Sequence, residues 1–82
     1  MKQLGERIAS LRKDLTLSQE ALAEQVGVSR QAISKWEREE ALPDIYNLAT
    51  LAEIFGVTLD DLLKGSDEAG ARKKPMLVAL ER

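Results

Sequence analysis

The stretch that decides the fold is Ser18–Arg38, which reads SQEALAEQVGVSRQAISKWER. It holds two short helical patterns, each preceded by a serine, with Gly27 between them. Ser18 and Ser29 are predicted N-caps, because a serine hydroxyl accepts hydrogen bonds from the free amides of a helix's first turn. Gly27 is predicted to end the first helix at a positive φ, a conformation that costs glycine little. Two short helices joined by a very tight turn are therefore expected.

The second helix of this stretch is predicted to have one apolar and one polar arc. At about 100° per residue, Ala32, Ile33 and Trp36 fall on the apolar arc. The polar arc consists of Arg30, Gln31, Ser34, Lys35 and Arg38. In the DNA major groove, arginine reads guanine edges and glutamine reads adenine edges. The composition of the polar arc therefore suits a helix that lies in that groove.

The stretch resembles the helix-turn-helix of the phage repressor and Cro-like (XRE-type) family of DNA-binding proteins. The residues that carry the resemblance are Gln19, Leu22-Ala23, Gly27-Val28-Ser29, Ile33-Ser34 and Glu37. It extends from about Leu4 to Gly65, through the later PDI and LAEIFGVTLDDLL runs. The alternative is an ordinary helical hairpin inside a small bundle. The resemblance implies an all-α, lambda-repressor-like domain of five short helices that binds specific double-stranded DNA and regulates transcription as a repressor.

The resemblance also implies roles for single positions. Base edges or nearby phosphates would be contacted by Arg30, Gln31, Ser34 and Lys35. The DNA backbone would be contacted by Gln19, Ser29, Arg38, Trp36 and Asn47, the alternative for Asn47 being a solvated side chain. Trp36 falls on the apolar arc, so it is expected in the core with only its indole N–H reaching a phosphate. Arg12 and Glu37 would form a structural ion pair, the alternative for Arg12 being a solvated surface charge.

Length and composition limit the function classes. Eighty-two residues with 44% hydrophobic content predict one small domain with a modest core, so a two-domain enzyme is not expected. The chain has no cysteine and no histidine, so thiolate chemistry, the usual metal ligand and the commonest general base are missing. We therefore expect no enzymatic activity, no cofactor and no metal. No apolar run is long enough to span a bilayer and no signal-peptide pattern is present, so a cytoplasmic protein is expected.

The charge balance is less favourable to DNA binding than the motif. The formal net charge is −2, whereas nucleic-acid-binding proteins often carry a basic balance. Three basic residues, Arg30, Lys35 and Arg38, are however clustered on the polar arc. The connector after it, EEALP at positions 39–43, carries two glutamates where the resembled family usually has a glycine followed by basic or small residues. Either this loop turns away from the phosphates, which we favour, or it contacts a protein.

The remaining helices are predicted from apolar periodicity and caps. The first supporting helix has Leu4, Ile8 and Leu11 on its buried face. The fourth helix is capped by Asp44, and its predicted buried face consists of Ile45, Leu48, Leu51, Ala52 and Phe55. The last helix is capped by Thr58 and carries Leu59, Leu62 and Leu63. These are more leucines than one short helix easily hides, so some are expected to contact a partner.

The chain is predicted to divide into a helix-turn-helix domain at 1–65 and a linker with a C-terminal tail at 66–82. The tail is expected to be disordered or to contact a dimer partner, or else to begin a longer region. A homodimer is expected because one recognition helix reads only a few base pairs, the alternative being a monomer in solution that pairs only on DNA. Its contact surface is predicted to consist of Leu59, Leu62 and Leu63, with Met76–Leu80 as an addition.

A second function class stays open from the residues alone. A protein-interaction module, such as an antitoxin-like partner, would use the same fold to cover another protein. The acidic connector and the spare leucines fit this alternative. It differs from DNA binding in its expected salt dependence, because DNA affinity falls steeply as salt rises.

Overall fold

The computed structural model describes residues 3–64, and within this range the chain forms five helices and no strand. The helices are α1 (Gln3–Asp14), α2 (Gln19–Val26), α3 (Arg30–Glu37), α4 (Ile45–Phe55) and α5 (Leu59–Lys64). The predicted all-α, five-helix fold is confirmed. The predictions for the segment 66–82, including a dimer contact at Met76–Leu80, lie outside the described residues.

The four predicted N-caps all form. In each, the side-chain oxygen accepts a hydrogen bond from the backbone amide three residues later, at 2.9 to 3.1 Å. These caps are Ser18, Ser29, Asp44 and Thr58. Each satisfies an amide that the helix itself leaves without a partner, so the starts of α2 to α5 follow directly from the sequence.

The first four helices end in the same way. Each is followed by a residue in the left-handed conformation, and the next amide bonds back to the carbonyl five residues earlier at 2.8 to 3.1 Å. This is the Schellman arrangement. The left-handed residues are Thr16, Gly27, Glu39 and Gly56. Gly27 was predicted from the sequence, whereas Thr16 and Glu39 were not, because residues with a side chain seldom adopt a positive φ.

The centre of the core takes one fully buried side chain from each helix. These side chains are Ile8, Leu22, Ile33, Leu51 and Leu62. The prediction of Leu62 as a partner contact is therefore wrong, because α5 turns this leucine into the core to close the bundle. Leu59 is half-buried and Leu63 is exposed. The prediction of Ile45 on the buried face of α4 is also wrong, since it is 55% exposed at the first turn.

The close packing of α1 on α3 explains why residue 5 is a glycine. This residue is buried, and a Cβ added to it would lie 2.6 Å from the carbonyl oxygen of Trp36 and 2.7 Å from that of Glu37. The backbone amide of Gly5 donates to Glu39 Oε2 at 2.6 Å. A glycine here lets the backbone of α1 approach the C-terminal end of α3 closely, so α1 packs directly against the helix-turn-helix.

The last helix is held to the first by Arg7. Its Nε donates to the carbonyl of Leu62 at 2.8 Å, and its Nη2 donates to that of Leu63 at 3.0 Å. These are carbonyls of the final turn of α5, which have no partner within the helix. A cation at the C-terminal end of a helix is also favoured by the helix dipole. Arg7 therefore fastens α5 to α1.

Candidate nucleic-acid interface

The turn between α2 and α3 sets the angle of the candidate recognition helix. Gly27 has φ 91° and ψ 32°, and its amide donates to the carbonyl of Ala23. Ser29 then caps α3, with only residues 27–29 between the helices. Ala23 in α2 is 3% exposed, and α3 packs against α2. The short turn and the close contact together hold α3 in one orientation.

The two arcs of α3 divide as predicted. Ile33 is fully buried, and Trp36 is 6% exposed as part of the core. Most of the polar arc faces outward, with Ser34 half-buried and the other four residues exposed. Those exposed residues are Arg30, Gln31, Lys35 and Arg38. The structure thus gathers the predicted base-reading residues on one side of one helix.

Behind α3, Arg12 and Glu37 form the ion pair that the resemblance implies. Arg12 Nε donates to Glu37 Oε2 at 2.7 Å, and Arg12 Nη2 donates to Glu37 Oε1 at 3.1 Å. The two side chains are only 12% and 8% exposed. Arg12 Nη1 also donates to the carbonyl of Leu17 at 2.8 Å. One guanidinium therefore joins α1, the segment before α2 and the end of α3.

Gln19 has a partner within the domain that the sequence did not indicate. Its Nε2 donates to Glu37 Oε1 at 3.0 Å, so the amide belongs to the same network as Arg12. The side-chain carbonyl and the second amide hydrogen are not used by this bond. A backbone contact from Gln19 to DNA stays a prediction, and Glu37 would fix the orientation of the amide for it.

On the outer side of α3, Arg38 is held by three hydrogen bonds. Its Nε and Nη2 donate to the two carboxylate oxygens of Glu40 at 3.0 and 2.9 Å, and its Nη1 donates to Ser34 Oγ at 2.8 Å. The hydrogen bond from Arg38 lowers the pKa of Glu40, and the carboxylate in turn raises the pKa of Arg38. Both side chains are more than half exposed, at 55% and 53%.

Both glutamates of the acidic connector have hydrogen-bond partners within the domain, which the sequence did not indicate. Its carboxylates are engaged within the domain, Glu39 by the amide of Gly5 and Glu40 by the guanidinium of Arg38. Glu39 also occupies the left-handed position at φ 64°, where the resembled family usually has glycine. Its bond to Gly5 places a carboxylate at the N-terminal turn of α1, which the helix dipole favours.

The other predicted backbone contacts are distributed around α3 and α4. Ser29 is exposed, and its hydroxyl oxygen already accepts from Ala32 N. Asn47 is half-buried in the first turn of α4, where its backbone N–H donates to Asp44 Oδ1. The indole N–H of Trp36 has no hydrogen-bond partner within residues 3–64. Contacts from these three residues to phosphates stay predictions.

Residues 3–64 contain no group of three acidic, histidine or cysteine residues placed to hold a metal ion. None of the helices described is long and apolar enough to cross a membrane.

The chain belongs to the helix-turn-helix family, whose pattern matches residues 8–62. This confirms the resemblance to phage repressors and Cro-like regulators. Over 62 residues it is 48% identical to repressor protein C2 of Salmonella phage P22, covering 76% of this chain and 29% of that protein. Over 65 residues it is 43% identical to the transcriptional activator BcrR of Enterococcus faecalis, covering 79% and 32%. The chain thus spans about a third of the length of these relatives.

Solved structures agree with this assignment. The P22 c2 repressor in complex with synthetic operator 9T superposes with a TM-score of 0.73 at 48% identity, covering 76% of this chain and 94% of that one. The N-terminal DNA-binding domain of SinR from Bacillus subtilis gives a TM-score of 0.72 at 31% identity, covering 78% and 94%. The fold and the order of its helices are therefore those of helix-turn-helix regulators.

Proposed function

We propose that this chain binds specific double-stranded DNA and regulates transcription, with α3 in the major groove. The observation that carries the proposal is the division of α3 into two arcs. One arc holds Ile33 and Trp36 in the core, and the opposite arc is polar, largely exposed and carries three cations. The P22 c2 repressor, which shares this fold, has been solved on a synthetic operator.

Different members of the polar arc are assigned to base edges and to the backbone. Arg30 and Gln31 are exposed at the first turn of α3, and the N-terminal residues of a recognition helix contact base edges. Ser34 and Lys35 lie one turn later and read bases or adjacent phosphates. Backbone contacts are assigned to Gln19, Ser29, Arg38, Trp36 and Asn47. Backbone contacts position the protein, and base contacts supply the sequence preference.

Whether Ser34 can contact a base depends on its hydrogen bond with Arg38. Its oxygen accepts a hydrogen bond from Arg38 Nη1 at 2.8 Å. A hydroxyl retains one donor hydrogen and one lone pair after accepting such a bond. Ser34 is thereby left able to donate to a base acceptor.

We propose a homodimer as the form that acts on DNA. A single α3 reads only a few base pairs, which gives too little discrimination against the many competing sites of a genome. Two copies on half-sites about one helical turn apart would place both recognition helices on one side of the duplex. Leu63 is exposed, and Leu59 is half-buried beside it on α5, so this helix still offers apolar surface to a second copy. Leu62 is excluded from this surface because it is in the core.

Repression is the regulatory outcome that we favour, since one relative is a repressor, although another is an activator with a similar domain. We assign the protein to the cytoplasm and assign it no catalytic step. A protein-interaction module is less favoured. The acidic connector that suggested it has its carboxylates engaged within the domain, and one of the spare leucines is buried.

Selection of bound duplexes from a random pool, followed by sequencing, tests the proposed function. We expect a short half-site to be enriched, repeated with two-fold symmetry about one helical turn apart. Affinity for the enriched duplex should fall steeply as salt rises. Recovery of no preferred sequence would contradict specific DNA binding. Analytical ultracentrifugation on the enriched duplex tests the dimer, and a strict one-to-one complex on a site without a repeated half would contradict it.

A further inference from the structure

Arg38 is the one cation of the polar arc that the described part of the chain holds in an ion pair. Three of the five N–H donors of its guanidinium are used, two by the carboxylate of Glu40 and one by Ser34 Oγ. A bidentate carboxylate uses the same planar fork of donors that would grip a phosphate. We propose that Glu40 is an internal competitor for DNA: its carboxylate occupies the site on Arg38 where a backbone phosphate binds, and so sets the affinity of the domain.

The position of Glu40 is determined by the fold, so its contact with Arg38 does not depend on a chance side-chain arrangement. Glu39 ends α3 in the left-handed conformation, and the amide of Glu40 then donates to the carbonyl of Lys35 at 2.8 Å. Glu39 is kept there by its own bond to the amide of Gly5. The Schellman turn therefore places the backbone of Glu40 next to the final turn of α3, within reach of Arg38.

Little free energy is needed to separate Glu40 from Arg38, so a DNA phosphate can displace the carboxylate. Arg38 and Glu40 are 55% and 53% exposed, and exposed ion pairs are weak because water and salt screen them. A phosphate at the same position would offer a comparable bidentate contact. Glu40 therefore lowers affinity without preventing binding. Because a phosphate is present at every base pair, the competition should act equally on all sequences and leave the preference unchanged.

This inference rests on the proposed DNA binding and is tested with the same protein. The central variant is Glu40→Gln, which keeps the size of the side chain and removes its charge. Glu53→Gln is the matched control, since it removes one negative charge from an exposed residue of α4. Affinities are measured by fluorescence anisotropy across a salt series, on the duplex enriched by selection and on a duplex of mixed sequence.

We expect Glu40→Gln to raise the affinity for both duplexes about two- to fivefold over Glu53→Gln, the range set by the weak pair that binding no longer has to break. The ratio between the two duplexes should not change. The slope of log affinity against log salt should steepen by up to about 0.9, because Arg38 then neutralises a phosphate more completely. Equal affinities for Glu40→Gln and Glu53→Gln would overturn the inference.

A double-mutant cycle separates competition from plain repulsion. In the Arg38→Gln background, Glu40 has no guanidinium to hold, so the further change Glu40→Gln should bring a much smaller gain. A gain of the same size in both backgrounds would mean that Glu40 only repels DNA, and would overturn the inference while leaving the proposed function intact. Failure of the unaltered protein to bind any duplex would overturn the proposed function and this inference with it.

Discussion

Two arginine–glutamate pairs lie at the C-terminal end of α3, and they differ mainly in burial. Arg12 and Glu37, the inner pair, are 2.7 Å apart, with side chains only 12% and 8% exposed. Arg38 and Glu40, the outer pair, are 2.9 Å apart, with side chains 55% and 53% exposed. Both pairs are bidentate, so their hydrogen-bond chemistry is nearly the same.

The difference in burial gives the two pairs different functions. A charge in a poorly hydrated place depends on its partner, because removing the partner leaves the charge uncompensated. The inner pair therefore holds α1 and the start of α2 against α3. A charge in contact with water loses little when its partner leaves, so the outer pair can open when another anion arrives. The same kind of ion pair therefore fixes the position of α3 where it is buried and can exchange its partner where it is exposed.

The largest expected effect is on the inner pair. Glu37→Ala leaves Arg12 and the amide of Gln19 without their common acceptor. We expect the free energy of unfolding to fall by about 3 kcal/mol, the lower end of the range for breaking a buried pair. Urea denaturation followed by circular dichroism measures this. A loss close to zero would mean that the inner pair is as replaceable as the outer one.

A double variant serves as the control for this prediction. Replacing both partners, as in Arg12→Met with Glu37→Leu, removes both charges and restores apolar packing. Such replacements of buried pairs are often neutral for stability. We therefore expect the double variant to regain most of what Glu37→Ala loses, with the Gln19 amide and the Leu17 carbonyl the groups still unpaired.

The second expected effect concerns the close approach that places α1 behind α3. In Gly5→Ala the new methyl group would lie 2.6 Å from the carbonyl oxygen of Trp36, so the two helices must move apart. We expect a loss of about 1 to 3 kcal/mol, as for other overpacked sites. Gly27→Ala is the contrast, since its methyl group meets nothing within 4 Å but takes a φ of 91°. It should cost about 1 kcal/mol through backbone strain alone.

These two glycines also show how far the sequence predicts the fold. Gly27 was predicted because it follows a helical pattern and precedes a capping serine, which are local signals. Gly5 was not, because the backbone of α3 that it approaches is more than thirty residues away in sequence. The helix starts, the two arcs of α3 and most of the core follow from local periodicity and capping. The exposure of Ile45 could not be predicted in this way, because periodicity alone does not tell which turn of a helix extends beyond the core.

In the candidate site, too, the features set by local sequence were predictable, and the contacts between separate helices were not. The polar arc comes from helix periodicity, and the Arg12–Glu37 pair came only through the resemblance. The partners of Arg7 and Gln19 are contacts between separate helices, for which a single sequence carries no local signal. Glu40 lies only two residues from Arg38, but their contact depends on the left-handed turn at Glu39, where a side chain is unusual.

The third expected effect is a loss of DNA affinity, without a loss of stability, when exposed residues of the polar arc are replaced. Arg30→Ala and Gln31→Ala should each weaken binding to the selected duplex by about 1 to 3 kcal/mol and relax the preference at one or two base pairs. Both side chains are exposed, so the unfolding midpoint should stay close to that of the unaltered protein. Competition binding against single-base variants of the duplex measures this. Lys13→Ala is the control, an exposed cation at the end of α1. Equal losses from Lys13→Ala would mean that the effect is general electrostatics rather than reading by α3.

The smallest expected effect is that of the outer pair on stability. The bond to Arg38 lowers the pKa of Glu40 below its ordinary value of 4.5. Any stabilisation by this pair is therefore present above that pH and is lost as the pH falls through the lowered pKa. Because the pair is exposed, we expect urea midpoints of Glu40→Gln and the unaltered protein to coincide within error at neutral pH. They should also coincide at pH values low enough to protonate Glu40. A midpoint for Glu40→Gln as low as that for Glu37→Ala would show that burial does not separate the two pairs, and that Glu40 holds the end of α3 in place instead of competing for Arg38.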